Sequence, residues 1–357
     1  VRTASAPIGP AGGGLRSIFV RTPGLTMHAL AAGIGRPRVP IVLIHGFPQT
    51  SHAFRHQVTA LAAHGHPTYA VDTRGYGRTD KPGTRVSRAL LAEDIRRFCL
   101  AEGLSDVTVV GHDWGGLIAF KAAIDHPAMF TRLGLIDSPC TVISPDIPHP
   151  YWFKAEPLPE AFLASHAADM IEVRLGGRAG TVLGDRPGNA YGNTQPERDV
   201  PFFSDADIAH YVASLDAASR ANAVQYYRYA MPLHRVIADP DAPNGERYQA
   251  LSEREVAAMW LHHEGYDAHP WRHEFHDFGP EDRHKRFHGP SLLIYGKQYA
   301  ARFPAHADGV LPSGDPFAEQ YARYFTDMTV RETEAGHYIA EELPELVTGE
   351  VLALADR

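Results

Sequence analysis

Cysteine is nearly absent: only Cys99 and Cys140 occur in 357 residues, too few for a disulfide framework. Cys99 falls in a helical pattern, where a buried free thiol is expected, and a reducing compartment such as the cytoplasm suits the pair. Long apolar runs are lacking as well, so no segment reads as a membrane span. The Ala-, Gly- and Pro-rich start has no signal-peptide core and reads as a flexible leader over residues 1–14. Positive charge is in deficit, with 34 basic against 42 acidic residues and a formal charge of −8. The basic residues are scattered, which excludes a stripe for nucleic acid or an acidic membrane. Gly75-Tyr76-Gly77 lacks the spacing and the following Lys-Ser of a phosphate cradle. Histidine is plentiful, and His262, His263, His269, His273, His276, His284 and His288 crowd one stretch. None stands in the HExxH pattern that sets two ligands and an acidic base on one helical face, so no metal centre is expected. There is no internal repeat.

What is present is globular material, 44% hydrophobic and 21% charged, long enough for one α/β domain with a substantial insertion. Short apolar runs bounded by Gly, Pro or Asp predict strands at Ser17–Arg21, Thr26–Ala32, Val39–His45, Thr68–Asp72, Val107–Gly111 and Leu133–Asp137. The first two predict an antiparallel edge, and the others are strands buried on both faces of a mostly parallel sheet. Helical spacing marks Ser87–Glu102. After Cys140 prolines crowd the chain, helical pieces follow at Glu160–Leu175 and Ala206–Ala230, and the strand pattern returns only at Ser291–Tyr295 and Met328–Thr333. Residues from about 141 to 288 therefore read as a mainly helical insertion above the carboxyl ends of the strands, where open α/β sheets bind ligands.

The most specific signal is Gly111-His112-Asp113-Trp114-Gly115-Gly116, the spacing of a nucleophile elbow with aspartate at its centre. A carboxylate there attacks an electrophilic sp3 carbon and becomes an alkyl ester that water must cleave. His45-Gly46-Phe47-Pro48 follows the first parallel strand, where a backbone N–H of Phe47, with that of Trp114, would form an oxyanion hole. Glu334-Ala335-Gly336-His337 follows the last strand, so His337 is the expected general base for water. Asp137 ends the sixth strand and is the expected orienter of His337, with Asp308 and Asp315 as alternatives in the long stretch after the seventh.

Together with Asp72-Thr73-Arg74-Gly75-Tyr76-Gly77-Arg78-Thr79-Asp80-Lys81-Pro82, these motifs resemble the epoxide hydrolase and dehalogenase branch of the α/β-hydrolase fold, over about residues 26–140 and 289–350. The resemblance implies an eight-stranded, mostly parallel sheet with a mainly helical cap inserted after the sixth strand. The core would span 15–140 and 289–357, and the cap 141–288. Within the branch, fluoroacetate dehalogenases carry arginines beside the nucleophile, where this chain has Trp114 and Leu117. Many haloalkane dehalogenases place Asn at the position of Phe47. The pairing of HGFP with HDWGG favours an epoxide hydrolase.

Epoxide opening also needs a donor for the ring oxygen, and in this family cap tyrosines usually serve. Gln225-Tyr226-Tyr227-Arg228 resembles the later of the two elements, making Tyr227 the first donor, with Tyr226 beside it. The early one falls in His149-Pro150-Tyr151-Trp152-Phe153-Lys154-Ala155-Glu156-Pro157, where spacing leaves Tyr151 and Trp152 both open. A Trp N–H donates a hydrogen bond without delivering a proton. The resemblance implies no cofactor, a small-molecule apolar epoxide and water as partners, and a pocket lined by Phe47, Trp114, Tyr151, Trp152, Phe153 and Tyr226. An aryl or polycyclic epoxide suits that lining. A haloalkane dehalogenase with the same nucleophile, and a ligand receptor that has lost turnover, are the competing readings.

Overall fold

The computed structural model describes residues 2–7, 14–143, 149–175, 203–252, 254–256, 276–297 and 316–357. Among them nine strands form the main sheet: β1 (Arg2–Pro7), β2 (Arg16–Thr22), β3 (Leu25–Ala32), β4 (Ile41–Ile44), β5 (Thr68–Val71), β6 (Val107–His112), β7 (Phe130–Ile136), β12 (Ser291–Gly296) and β13 (Met328–Thr333). Their spatial order is β1-β2-β3-β5-β4-β6-β7-β12-β13. Strands β1, β2 and β3 run antiparallel at one edge, β3 meets β5 antiparallel, and every pairing from β5 to β13 is parallel. Eight of the nine carry the expected architecture, with the insertion after the sixth. The ninth, β1, lies within the stretch read as a leader, where Arg2 pairs with Val20 and Ala4 with Ile18. Without it β2 would leave a row of unpaired N–H and C=O groups on the sheet edge.

Strands β4, β5 and β6 are buried at every residue, because alternate side chains serve opposite faces of the sheet. Val42, Ile44, Val71, Val109 and Leu135 belong to the cluster that includes helices Arg88–Ala101 and Trp114–Asp125. Ile41, Leu43, Ala70, Val110 and Ile136 belong to the other, with helices Arg55–Ala63 and Pro344–Ala355. Each such side chain contributes roughly 1.5–3 kcal/mol through burial. The register also sets the site, because Ile44 lies opposite Gly111, His112 opposite Ile136, and Ile136 opposite Ile294. The loops that follow β4, β6 and β7 therefore leave the sheet side by side.

Four short strands, β8 (Val142–Ile143), β9 (His234–Ala238), β10 (Glu246–Ala250) and β11 (His276–Asp277), form a second sheet in the order β10-β9-β11-β8. A mainly helical insertion leaves this sheet out, although its signal is in the chain. Asn244-Gly245 sits between two five-residue stretches, and Gly245 takes φ +72°, the left-handed turn geometry that Gly supplies. The helix expected over 206–230 is also divided, into Asp205–Ser214, Ala217–Gln225 and a π-helical turn at Tyr226–Ala230. The break falls where Asp216 accepts the Ser219 N–H at 2.8 Å and starts a new helix. No helix among the described residues is long and apolar enough to cross a membrane.

Candidate active site

Asp113 sits between β6 and helix Trp114–Asp125 at φ +52° and ψ −121°, a conformation an L side chain rarely adopts. The glycines explain how the chain makes that turn. A Cβ on Gly111 would run into the carbonyl of Gly115, and one on Gly115 into the carbonyl of Ile44. The helix thus lies against the sheet with no room for a methyl group. Gly46 does the same for the neighbouring loop, where a Cβ would come within 2.6 Å of Asp113 Oδ1. In the absence of that Cβ, the Phe47 N–H donates to Asp113 Oδ1 at 2.8 Å. Trp114 opens the helix, so its N–H is among those without an intrahelical acceptor.

Asp137 follows β7 directly, at φ +45°, and its N–H donates to the Ile294 carbonyl at 2.8 Å. Its Oδ2 lies 2.5 Å from His337 Nδ1, while His337 Nε2 lies 3.8 Å from Asp113 Oδ2. The three residues expected from their chain order are therefore assembled, with Asp137 on one imidazole nitrogen and Asp113 facing the other. Asp308 and Asp315 lie outside the described residues, as do His262, His263, His269 and His273. Among the described residues no group of three or more His, Cys, Asp or Glu side chains is arranged to hold a metal ion.

Three supports of this arrangement were not anticipated. His112 Nε2 lies 2.8 Å from the His337 carbonyl oxygen, so that nitrogen carries the proton and donates. Burial, reinforced by the nearby His337, holds His112 well below the usual histidine range and keeps it neutral. Ser138 Oγ donates to the Asp113 carbonyl at 2.8 Å. Arg174 Nε donates to the Tyr338 hydroxyl at 2.8 Å, next to His337, and places a permanent cation near His112 and His149.

The cap residues divide. Tyr227 joins an aromatic cluster with Trp114 and Phe47, at ring-centroid separations of 5.0 and 5.9 Å, and Phe153 stacks face to face on it at 4.0 Å. Lys154 Nζ donates to the carbonyls of Tyr227 and Met231, each at 2.6 Å, and so pins the π-helical turn that carries Tyr227. Tyr226 is engaged elsewhere, since its hydroxyl donates to the Arg74 carbonyl at 2.7 Å and its ring packs edge-on against Trp114 and Tyr76. Burial pushes its phenol further above the ordinary range. The Tyr151 hydroxyl lies 2.7 Å from His276 Nδ1, and the Trp152 ring packs against Phe153 and Phe162. The His149 ring meets Tyr227 edge-on, at 5.6 Å and 82°.

Comparison with known proteins bears on the family and the fold. A curated AB hydrolase superfamily protein of Bacillus subtilis is 33% identical over 189 residues, 49% of this chain and 63% of that protein. A soluble epoxide hydrolase of Corynebacterium is 39% identical over 114 residues, 32% of this chain and 38% of the relative. The aligned stretches thus span less than two thirds of these two relatives. The solved structure of an epoxide hydrolase from an endophytic Streptomyces shares the fold, with a TM-score of 0.68 at 24% identity over 97% of this chain and 96% of that one. A family model described as the alpha/beta hydrolase fold matches residues 39–342, well over half of the sequence, and the chain belongs to that family.

Proposed function

We propose that this protein is an epoxide hydrolase that works through a covalent alkyl-aspartate. Asp113 attacks a ring carbon of the epoxide, and the ring oxygen departs toward the cap while remaining part of the bound product. His337, oriented by Asp137, then takes a proton from water, and the resulting hydroxide attacks the Asp113 carbonyl carbon. The N–H groups of Phe47 and Trp114 stabilise the oxyanion of that step, and a vicinal diol leaves. The scheme uses no cofactor. Tyr227 supplies the proton that the opened ring oxygen needs.

The observation that carries this reading is the aspartate at the elbow, facing His337 and lying beneath a cap tyrosine at ring contact with Trp114. Epoxide hydrolases among the relatives favour an epoxide over a haloalkane. The aromatic cluster of Phe47, Trp114, Phe153 and Tyr227 suits an apolar, aryl-bearing epoxide. We assign the core to 15–140 and 289–357 and the cap to 141–288. Two buried free thiols suit a reducing compartment such as the cytoplasm.

The test is a single turnover of styrene oxide in heavy-oxygen water. An unlabelled first diol, with the label in the Asp113 peptide, is the expected result, because the product oxygen then comes from the carboxylate. A first diol that carries the label directly overturns the covalent scheme. Halide release from haloalkanes, without any diol from epoxides, supports the dehalogenase reading instead.

A further inference from the structure

We propose that Tyr321 is a positioning residue for the nucleophile, acting on Asp113 through Ser138. The proposal rests on the epoxide hydrolase reading above. Both carboxylates of the site stand on left-handed backbone, Asp113 at φ +52° and Asp137 at φ +45°. Residues in such conformations persist where their surroundings fix them. Ser138 is tied to both, since it follows Asp137 in the chain and its Oγ donates to the Asp113 carbonyl at 2.8 Å. Its side chain also lies where a Cβ on Gly116 would go, 2.3 Å from Ser138 Cβ and Oγ. The glycine at 116 therefore admits Ser138 to the first turn of the helix that Asp113 precedes.

Ser138 is held in turn from a distant part of the chain. The Tyr321 hydroxyl donates to the Ser138 carbonyl at 2.9 Å. Tyr321 belongs to helix Pro316–Tyr324, which grips the following residues as well. Gln320 Oε1 accepts the N–H groups of Cys140, Thr141 and Val142 at 2.8, 3.0 and 3.3 Å. Successive N–H groups converging on one oxygen form a concave nest, here filled by a side-chain carbonyl. The Tyr324 hydroxyl lies 2.7 Å from Thr141 Oγ1. Ser138, Thr141, Gln320 and Tyr324 are all buried, so water competes little for these bonds. The helix thus fixes residues 138–142, which lead the chain from Asp137 toward the cap.

The consequence falls on the aim of the carboxylate. With the Ser138 peptide fixed, its hydroxyl stays on the Asp113 carbonyl and the elbow keeps the backbone angles that set Oδ1 on the Phe47 N–H and Oδ2 toward His337 Nε2. A Ser138 that is released lets the elbow sample other geometries, and a smaller share of molecules holds the carboxylate in line with the ring carbon. Misplacement of an attacking group slows the chemical step far more than it weakens binding. The aromatic rings of Phe47, Phe153 and Tyr227, which suit the epoxide, are not part of this path. Tyr321 exchanges no proton with the substrate and acts through Ser138.

A double-mutant cycle separates this role from a structural one. With styrene oxide under single-turnover conditions, Tyr321→Phe keeps the ring and removes the hydroxyl. It is expected to lower the saturating rate of Asp113 adduct formation about tenfold, with the half-saturating concentration within about twofold of the wild type. Ser138→Ala removes the bond to the Asp113 carbonyl and is expected to slow adduct formation by a similar factor, about tenfold. Because Tyr321 acts through that serine, the double variant is expected to lie within about twofold of Ser138→Ala. Tyr321→Met serves in place of Tyr321→Phe if the latter loses the near-UV circular dichroism of the wild type. Adduct formation at the wild-type rate without the Tyr321 hydroxyl overturns the assignment. Slowing that multiplies to about 10²-fold in the double variant overturns the path through Ser138 in favour of an independent structural role. A raised half-saturating concentration at an unchanged saturating rate overturns it in favour of a part in binding. A wild-type protein that forms no adduct with any epoxide overturns the epoxide reading itself, and the role of Tyr321 with it.

Discussion

Asp113 holds a backbone conformation that costs on the order of 1–3 kcal/mol, offset by the Ser138 hydroxyl on its carbonyl and by the hydrogen bond from its own N–H to Ile136 at 3.2 Å. The elbow is consequently sensitive to the smallest change. Gly115→Ala places a methyl against the Ile44 carbonyl and is expected to lower stability by about 1–3 kcal/mol in urea unfolding, with activity lost along with the turn. At the reacting atoms, His337→Gln is expected to accumulate a covalent adduct, read as an intact-mass increase equal to one epoxide. Asp113→Asn is expected to form none promptly, though slow deamidation restores some. Loss of activity in both variants without an adduct would rule out the alkyl-enzyme. These residues are legible in the chain because each stands at a strand end in a fixed order. The contact of the His149 ring with Tyr227 is not, because it joins segments 78 residues apart, 227 minus 149.

The π-helical turn Tyr226–Ala230 sends adjacent tyrosines to different work, one hydroxyl to the Arg74 carbonyl and the other ring to the aromatic cluster over Trp114. Lys154 holds that turn by its last carbonyls, where a cation also meets the negative end of the helix. Lys154→Met keeps most of the side-chain volume and removes the donor. It is expected to slow adduct formation more than adduct breakdown and to lower stability by about 1–3 kcal/mol, both measurable in the same single-turnover and urea experiments. Equal rates with unchanged stability would show that the turn holds without Lys154. Periodicity marked this stretch as helical but not its divisions. A capping Asp216 and a widened turn depend on local hydrogen bonds that a count of apolar positions does not register.

Cap and core meet in a polar joint below the cap helix Asp205–Ser214. The Tyr211 hydroxyl donates to Glu341, Arg55 reaches both Glu341 and Asp207, and His52 Nε2 lies 2.7 Å from Asp207 Oδ1 while its ring stacks on His210. Burial pushes the Glu341 carboxyl up to about 7 despite the Arg55 charge beside it. A carboxyl raised in the folded state binds more protons there than in the unfolded chain, so its contribution is fully present below about 4.5 and lost as pH rises through about 7. Wild-type stability is expected to fall relative to Glu341→Gln by on the order of 2 kcal/mol across that window, as read by urea unfolding at successive pH values. Parallel curves for the two proteins would show that Glu341 does not titrate differently on folding. The order of strands, the elbow, His337 and Asp137 follow from the chain itself, because local spacing and strand ends carry them. The edge strand β1, the second sheet and the joint at Glu341 came from folding. Each depends on which distant segments pack together, and packing is settled by the whole set of buried contacts rather than by any one stretch of residues.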